Sequence, residues 1–149
     1  IFLSNGPGDP VDAKKYIPDI VDIMQSHLPI LGICYGCQLL AMAMGGKIKK
    51  MSVGHHGINH PVIDLRVDKV FITSQNHNFV IDESTIPLEA EITHRSLFDG
   101  SVQGIRHTAY PVMGLQGHPE GSPGPIDLAY CFQEFTSLVE SSMYYLSRS

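Results

Sequence analysis

The sequence predicts an α/β domain: an open, mixed, mainly parallel sheet flanked by helices. Three observations carry that expectation. Two apolar runs, Ile1 to Ser4 and Leu28 to Ile33, each end in a glycine-rich turn that leads into a helical pattern, which is strand-helix-strand order. A succession of short strand candidates then fills the region between Val70 and Gln116. A last amphipathic segment, from Pro125 onward, supplies a helix to cover one sheet face.

The 149 residues suit one domain with a sizeable core, so residues 1–149 are expected to form a single unit. At 43% hydrophobic and 17% charged residues, the chain has a globular composition rather than a disordered one. The net charge is -5 and its Lys and Arg residues do not cluster, which argues against a nucleic-acid partner. No apolar run approaches the roughly 18 residues of a membrane span. Three cysteines without framework spacing fit a reducing compartment, so the expected setting is soluble and cytoplasmic. The chain opens without Met in residues that already read as a buried strand. The expectation is therefore a C-terminal fragment of a longer chain, lacking N-terminal strands of the sheet.

In order, Ile1 to Ser4 is the first strand, and Asn5-Gly6-Pro7-Gly8-Asp9-Pro10 is a dense run of turn formers. Such a loop can present backbone N–H groups to a ligand, or it can be no more than a tight connection. Asp9 and Pro10 then start a helix, with Ala13, Tyr16, Ile17, Ile20, Val21 and Met24 at helical spacing up to about Ser26. Leu28 to Ile33 is the second strand, expected to pair parallel to the first through a right-handed crossover. Both glycine-rich turns would then share the carboxyl edge of the sheet, where open α/β folds bind ligands.

Gln38 to Met44 reads as a helix ended by Gly45-Gly46, with a short strand from Lys47 to Met51. Gly54 to Pro61 reads as a structured loop. Its three histidines invite a metal site, but no carboxylate or thiol stands at fitting spacing, and no metal is expected. Val70 to Ser74, Phe79 to Ile81, Glu89 to His94, Val102 to Arg106 and Val112 to Gln116 are short strands, implying antiparallel additions to the sheet. The final helix places Leu128, Phe132, Phe135, Leu138, Val139 and Leu146 along one side.

Two motifs carry chemistry. Gly32-Ile33-Cys34-Tyr35-Gly36 has the logic of a nucleophile elbow, with a thiol at the strand-to-helix turn. The glycines would permit the sharp reversal. The helix N-terminus would lower the thiol pKa and stabilise an oxyanion. Taken alone, Cys34 fits a buried structural thiol equally well. Gln116-Gly117-His118-Pro119-Glu120 closes the last strand, and Pro119 stiffens the geometry of His118 and Glu120. With Cys34 at another strand end, Cys34, His118 and Glu120 make a candidate triad of nucleophile, base and orienting carboxylate. Cys37 and Cys131 read as packing residues.

With those motifs in place, the chain resembles the triad-type, class I glutamine amidotransferases, whose fold is flavodoxin-like. It resembles more closely the glutaminase domains of carbamoyl phosphate synthetase small subunits. The resemblance rests on Ser4 to Pro10, Gly32 to Gln38, Gly54 to Pro61, Gln75-Asn76-His77, Ser96 to Gly100 and Gly117 to Pro125, in that order. It implies hydrolysis of L-glutamine through Cys34, His118 and Glu120, with backbone N–H groups of Gly8 and Tyr35 holding the oxyanion. It further implies contacts to glutamine from Gly6, Gly8, Tyr35, Gln38, Asn76, Asn78 and Phe79. No cofactor is expected in this chain; ATP, Mg and bicarbonate are expected on a large synthetase subunit that receives the ammonia. Two residues depart from the family pattern: Cys37 replaces the usual His, and Asn78 replaces a usual Gly. Three rivals stand beside this reading: a non-catalytic regulatory subunit, an amidotransferase serving another synthetase, and a free cysteine hydrolase built on a similar elbow.

Overall fold

The computed structural model describes residues 1–121 and 124–147, and its elements follow the expected order with differences that have physical causes. Ser122 and Pro123, expected in a family motif, and the side chain of Leu146, expected on the last helix's apolar face, lie outside the described residues.

Strand β1 (Phe2–Leu3) pairs parallel to β2 (Ile30–Ile33), and β2 pairs parallel to β7 (Val112–Leu115). The remaining strands are β3 (Lys47–Asp64), β4 (Lys69–Asp82), β5 (Ala90–Ser96) and β6 (Val102–His107). They complete an open seven-stranded sheet of order β1-β2-β7-β6-β5-β3-β4, with every pairing beyond β7 antiparallel. The open, mixed sheet flanked by helices is thus the expected fold, although its parallel part is smaller than "mainly parallel" implies. Because β1, β2 and β7 run together, their three carboxyl ends share one edge. The Asn5 to Pro10 loop, Cys34 and the Gln116 to Glu120 segment all leave the sheet there.

Alternation along the strands divides the core in two. Ile30 and Val112 face one side with Ile20 and Met24 of α1 (Ile17–Gln25) and Cys37, Leu40 and Ala41 of α2 (Tyr35–Ala43). Leu31, Ile33, Met113 and Leu115 face the other, under Leu128, Cys131, Phe132, Phe135 and Leu138 at and within α3 (Tyr130–Leu146). α2 stops as expected. Gly45 has a φ of 101°, its N–H donates to Met42 O and that of Gly46 to Ala41 O, which is a Schellman end.

Three expectations need correction. The helix after Asp9 is not continuous: Pro10–Tyr16 is a 3-10 turn and the α-helix begins at Ile17. Pro18 is the cause, since it has no N–H for the i-4 carbonyl and is tolerated only in a first turn. Tyr16, expected on the core face, is 53% exposed as a result. Lys47 to Met51 and the supposed loop to Pro61 are one strand, β3, and Val70 to Ser74 and Phe79 to Ile81 are likewise parts of one strand, β4. Register shifts between Lys50 and His55 and between Gly57 and His60 carry the glycines and histidines through the ladder.

Candidate active site

The elbow is held from both ends. Cys34 N–H donates to Leu115 O at 2.7 Å, while Cys34 O accepts from Gln38 N–H at 3.1 Å, the first helical bond of α2. Between those anchors Cys34 itself takes φ 52° and ψ -105°, a conformation few side-chain-bearing residues adopt. The unusual angle therefore falls on the cysteine and not on the glycines. Gly32 and Gly36 serve close packing instead: a Cβ on Gly32 would lie 2.7 Å from Gly36 O, and one on Gly36 would overlap the Leu3 carbonyl.

The expected residues meet in one cleft of about 420 Å³, lined by Asn5, Gly6, Pro7, Gly8, Cys34, Tyr35, Gln38, Asn76, His77, Asn78, Phe79 and His118. Of the expected triad and glutamine contacts, all except Glu120 line it directly. Glu120 stands behind His118, with Oε1 2.7 Å from His118 Nδ1. The His118 N–H donates to Ser74 O at 3.0 Å, fixing the residue against β4. His118 Nε2 is buried and has no partner among the described residues. An imidazole with Nδ1 against a carboxylate and Nε2 unengaged in a cleft is equipped to take a proton at Nε2.

The thiol is less acidic than the sequence suggested. The expectation was a lowered pKa from the helix terminus. Instead burial pushes Cys34 up to about 11, against the opposing pull of the Tyr35 backbone N–H and the Gln116 amide, with Glu120 adding a further upward push. At neutral pH the resting residue is a thiol, and proton transfer must accompany its attack.

Cys37 packs as expected beneath the site. It is fully buried, its Sγ lies 2.9 Å from where a Gly114 Cβ would stand, and burial pushes its thiol up. Asn78, which replaces a usual Gly of the family pattern, needs no left-handed backbone here. It sits within β4, and the non-glycine residues of positive φ among those described are His27, Cys34 and Asp68. Its role here is a side-chain one: His56 Nδ1 lies 2.9 Å from Asn76 Oδ1 and His56 Nε2 lies 3.0 Å from Asn78 Oδ1.

Sequence reasoning missed three participants: Gln116, His77 and His56. Gln116 Nε2 lies 3.5 Å from Cys34 Sγ. Its signal was available, because Gln116 follows Gly114 by two on the α2-facing side of β7. His77 Nδ1 lies 2.8 Å from Phe79 O, to which a neutral ring can donate, and Nε2 lies 2.9 Å from the Gln75 side-chain amide; burial lowers its pKa to about 4, so it is a neutral wall of the cleft. Had β4 been read as one strand, its alternation would have pointed both Gln75 and His77 inward. Of the other two histidines of β3, His55 Nε2 meets Asp99 Oδ2 at 2.9 Å, while His60 Nδ1 is buried without a hydrogen-bond partner among the described residues. No group of three or more His, Cys, Asp or Glu side chains among the described residues is arranged to hold a metal.

Comparison with known proteins bears on this site. The family model described as glutamine amidotransferase class-I matches residues 1–138. The chain is 58% identical over 135 residues to the carbamoyl phosphate synthase small chain of Pasteurella multocida, covering 91% of this chain and 35% of that protein. It is 53% identical over 142 residues to the same-named chain of Haemophilus ducreyi, covering 95% of this chain and 36% of that protein. The chain thus spans about a third of the length of the curated relatives it matches. Among solved structures, a Thermoplasma acidophilum protein aligns with TM-score 0.78 at 23% identity, covering 98% of this chain and 75% of that chain. A glutamine amidotransferase from Thermotoga maritima aligns with TM-score 0.64 at 20% identity, covering 99% and 76%. Likeness at such identities bears on the fold. No helix among the described residues is long and apolar enough to cross a membrane.

Proposed function

The chain belongs to the class I glutamine amidotransferase family, and on that premise we propose that it hydrolyses L-glutamine through Cys34, His118 and Glu120. In this proposal the ammonia passes to a large synthetase subunit that makes carbamoyl phosphate for pyrimidine and arginine biosynthesis. The observation that carries the reading is the meeting of Cys34, His118 and the loop around Gly6 and Gly8 in one cleft, with Glu120 on the far side of the imidazole.

Glutamine seats its side-chain amide over Cys34. His118 Nε2 takes the thiol proton as Sγ bonds to the amide carbon, and the carbonyl oxygen becomes an oxyanion facing the backbone N–H groups of Tyr35 and Gly8. Glu120 accepts from Nδ1 and stabilises the imidazolium. Collapse breaks the C–N bond, His118 returns its proton to the departing nitrogen, and ammonia leaves a thioester on Cys34. Water attacks the thioester with His118 as base, and glutamate departs as Sγ regains its proton.

Gln38, Asn76, Asn78 and Phe79 would hold the substrate from the α2 and β4 walls, with Gly6, Gly8 and Tyr35 contributing from the opposite wall. This chain contributes no cofactor to these steps. ATP, Mg and bicarbonate belong, in the proposal, to the synthetase subunit. Three free cysteines accord with a reducing, cytoplasmic setting for the pair.

The test is glutamate or ammonia release from glutamine by the full-length protein, with and without its synthetase subunit, comparing wild type with Cys34→Ser. Activity that rises with the partner and vanishes in Cys34→Ser is the expected result. Unchanged turnover in Cys34→Ser would remove the nucleophile assignment. A folded wild type that stays inert beside its partner would favour a regulatory subunit.

A further inference from the structure

Gln116 is fully buried at the end of β7, and its backbone N–H is fixed by Gln103 O at 2.8 Å. Its side chain lies between two functional groups. Nε2 is 3.5 Å from Cys34 Sγ, and Oε1 accepts from Gln38 Nε2 at 3.0 Å. Gln38 Nε2 also donates to Phe79 O at 2.9 Å. The order of these bonds leaves no freedom. A backbone carbonyl only accepts, so Gln38 must turn its NH₂ toward Phe79; its second hydrogen then meets the oxygen of Gln116, and the NH₂ of Gln116 is left facing sulfur. The packing that brings α2 close enough for this contact is the glycine-lined approach of Cys37 to Gly114, two residues earlier on the same side of β7.

We infer that Gln116 is a catalytic residue of the glutaminase, the side-chain donor that stabilises the Cys34 thiolate, and that Gln38 is the positioning residue that aims it. The inference rests on Cys34 being the nucleophile. A neutral amide donor gains strength as sulfur becomes negative, because the bond turns charge-assisted. It therefore stabilises the anion formed as the proton moves to His118, and again the thiolate expelled when water opens the thioester. A cation in its place would instead hold the thiolate in a resting ion pair.

The experiment is the pH dependence of Cys34 alkylation by iodoacetamide in the full-length protein, read by mass spectrometry of the Cys34 peptide. In Gln116→Met, of similar size but without a donor, the midpoint is expected to rise by about one to two pH units, the loss of one hydrogen bond to a charged group. Glutamine kcat should fall by roughly tenfold or more with a smaller change in KM, and Gln38→Met should raise the midpoint in the same direction by less. A folded Gln116→Met with the wild-type midpoint overturns the inference. If neither variant folds, wild type carries the test: the Gln116 side-chain amide proton should shift on NMR as Cys34 titrates, and its indifference overturns the inference equally. A raised midpoint in a protein whose wild type hydrolyses no glutamine would leave the donor standing and refute the glutaminase reading instead.

Discussion

The carbonyl oxygen of Leu3 occupies the place where a side chain on Gly36 would have to go. That contact sets the distance between α2 and the parallel strands, and so the height of Cys34 above the sheet edge. Gly36→Ala should therefore separate β1 from the first turn of α2, at a cost of about 1–3 kcal/mol or somewhat more. Urea unfolding of the full-length protein would read the loss, and glutaminase activity should drop with it because Tyr35 and Cys34 ride on the same turn. Gly6→Ala is the contrast: its Cβ would meet nothing closer than the Tyr35 ring at 3.7 Å, so stability should barely change.

In the proposed triad Glu120 acts chiefly through His118. With Oε1 2.7 Å from Nδ1, it sets the tautomer that leaves Nε2 ready to accept. Its own side chain is 40% exposed, so water can replace part of the interaction. Glu120→Gln is thus expected to lower kcat by about 10²–10³-fold, within the usual range for a positioned acid–base pair, with little change in stability. A loss confined to KM would assign Glu120 to substrate binding.

Legibility in the sequence followed how local each signal was. The elbow at Cys34 and the His118-Pro119-Glu120 segment are short, stiff motifs at strand ends, and residue type alone placed them. Gly32 and Gly36 were identified correctly but for the wrong reason, since what they accommodate is the Leu3 carbonyl and α2, contacts that chain neighbours cannot reveal. The long β3–β4 hairpin was hidden because half of it extends beyond the core, so its burial does not alternate. Gly54 also disguised it. In the fold that glycine admits the His77 carbonyl, which would stand 2.7 Å from a Cβ. The upward-shifted thiol could not be read at all, because burial is a property of the assembled cleft.

Acid should destabilise the protein well before carboxylates titrate. His77 and His94 are both buried and held neutral, their pKa values lowered from 6.5 to about 4, mainly by desolvation. For His94 the nearby Asp64 opposes the shift and Arg66 adds to it. An unfolded chain binds protons at these sites from pH 6.5 downward while the folded one does not. Their contribution is therefore complete above pH 6.5 and is lost as pH falls toward 4. By pH 5 the loss is about 2 kcal/mol for each. Urea midpoints at pH 7 and pH 5 measure it, and His94→Gln should flatten the slope by about half.

Arg66 joins α3 to the sheet through a carboxylate that has nowhere else to turn. Asp64 is fully buried, yet Arg66 donates to it from Nε at 3.0 Å and from a terminal nitrogen at 2.8 Å, and Tyr130 Oη donates at 2.7 Å. These donors hold its carboxyl well below the usual range, against the burial that would raise it. The same guanidinium reaches Glu134 on α3. Arg66→Met would leave a buried charge with Tyr130 as its main side-chain partner, a change expected to cost about 3–5 kcal/mol. The double variant Asp64→Leu, Arg66→Met removes the stranded charge as well, and should recover part of that loss. Because Leu128, just before α3, packs in the same cluster as Cys34, the single variant should also lose glutaminase activity at a lower temperature than wild type. Unfolding curves for both variants decide the matter: equal losses would mean that the guanidinium's packing, and not its pairing with Asp64, fastens the helix.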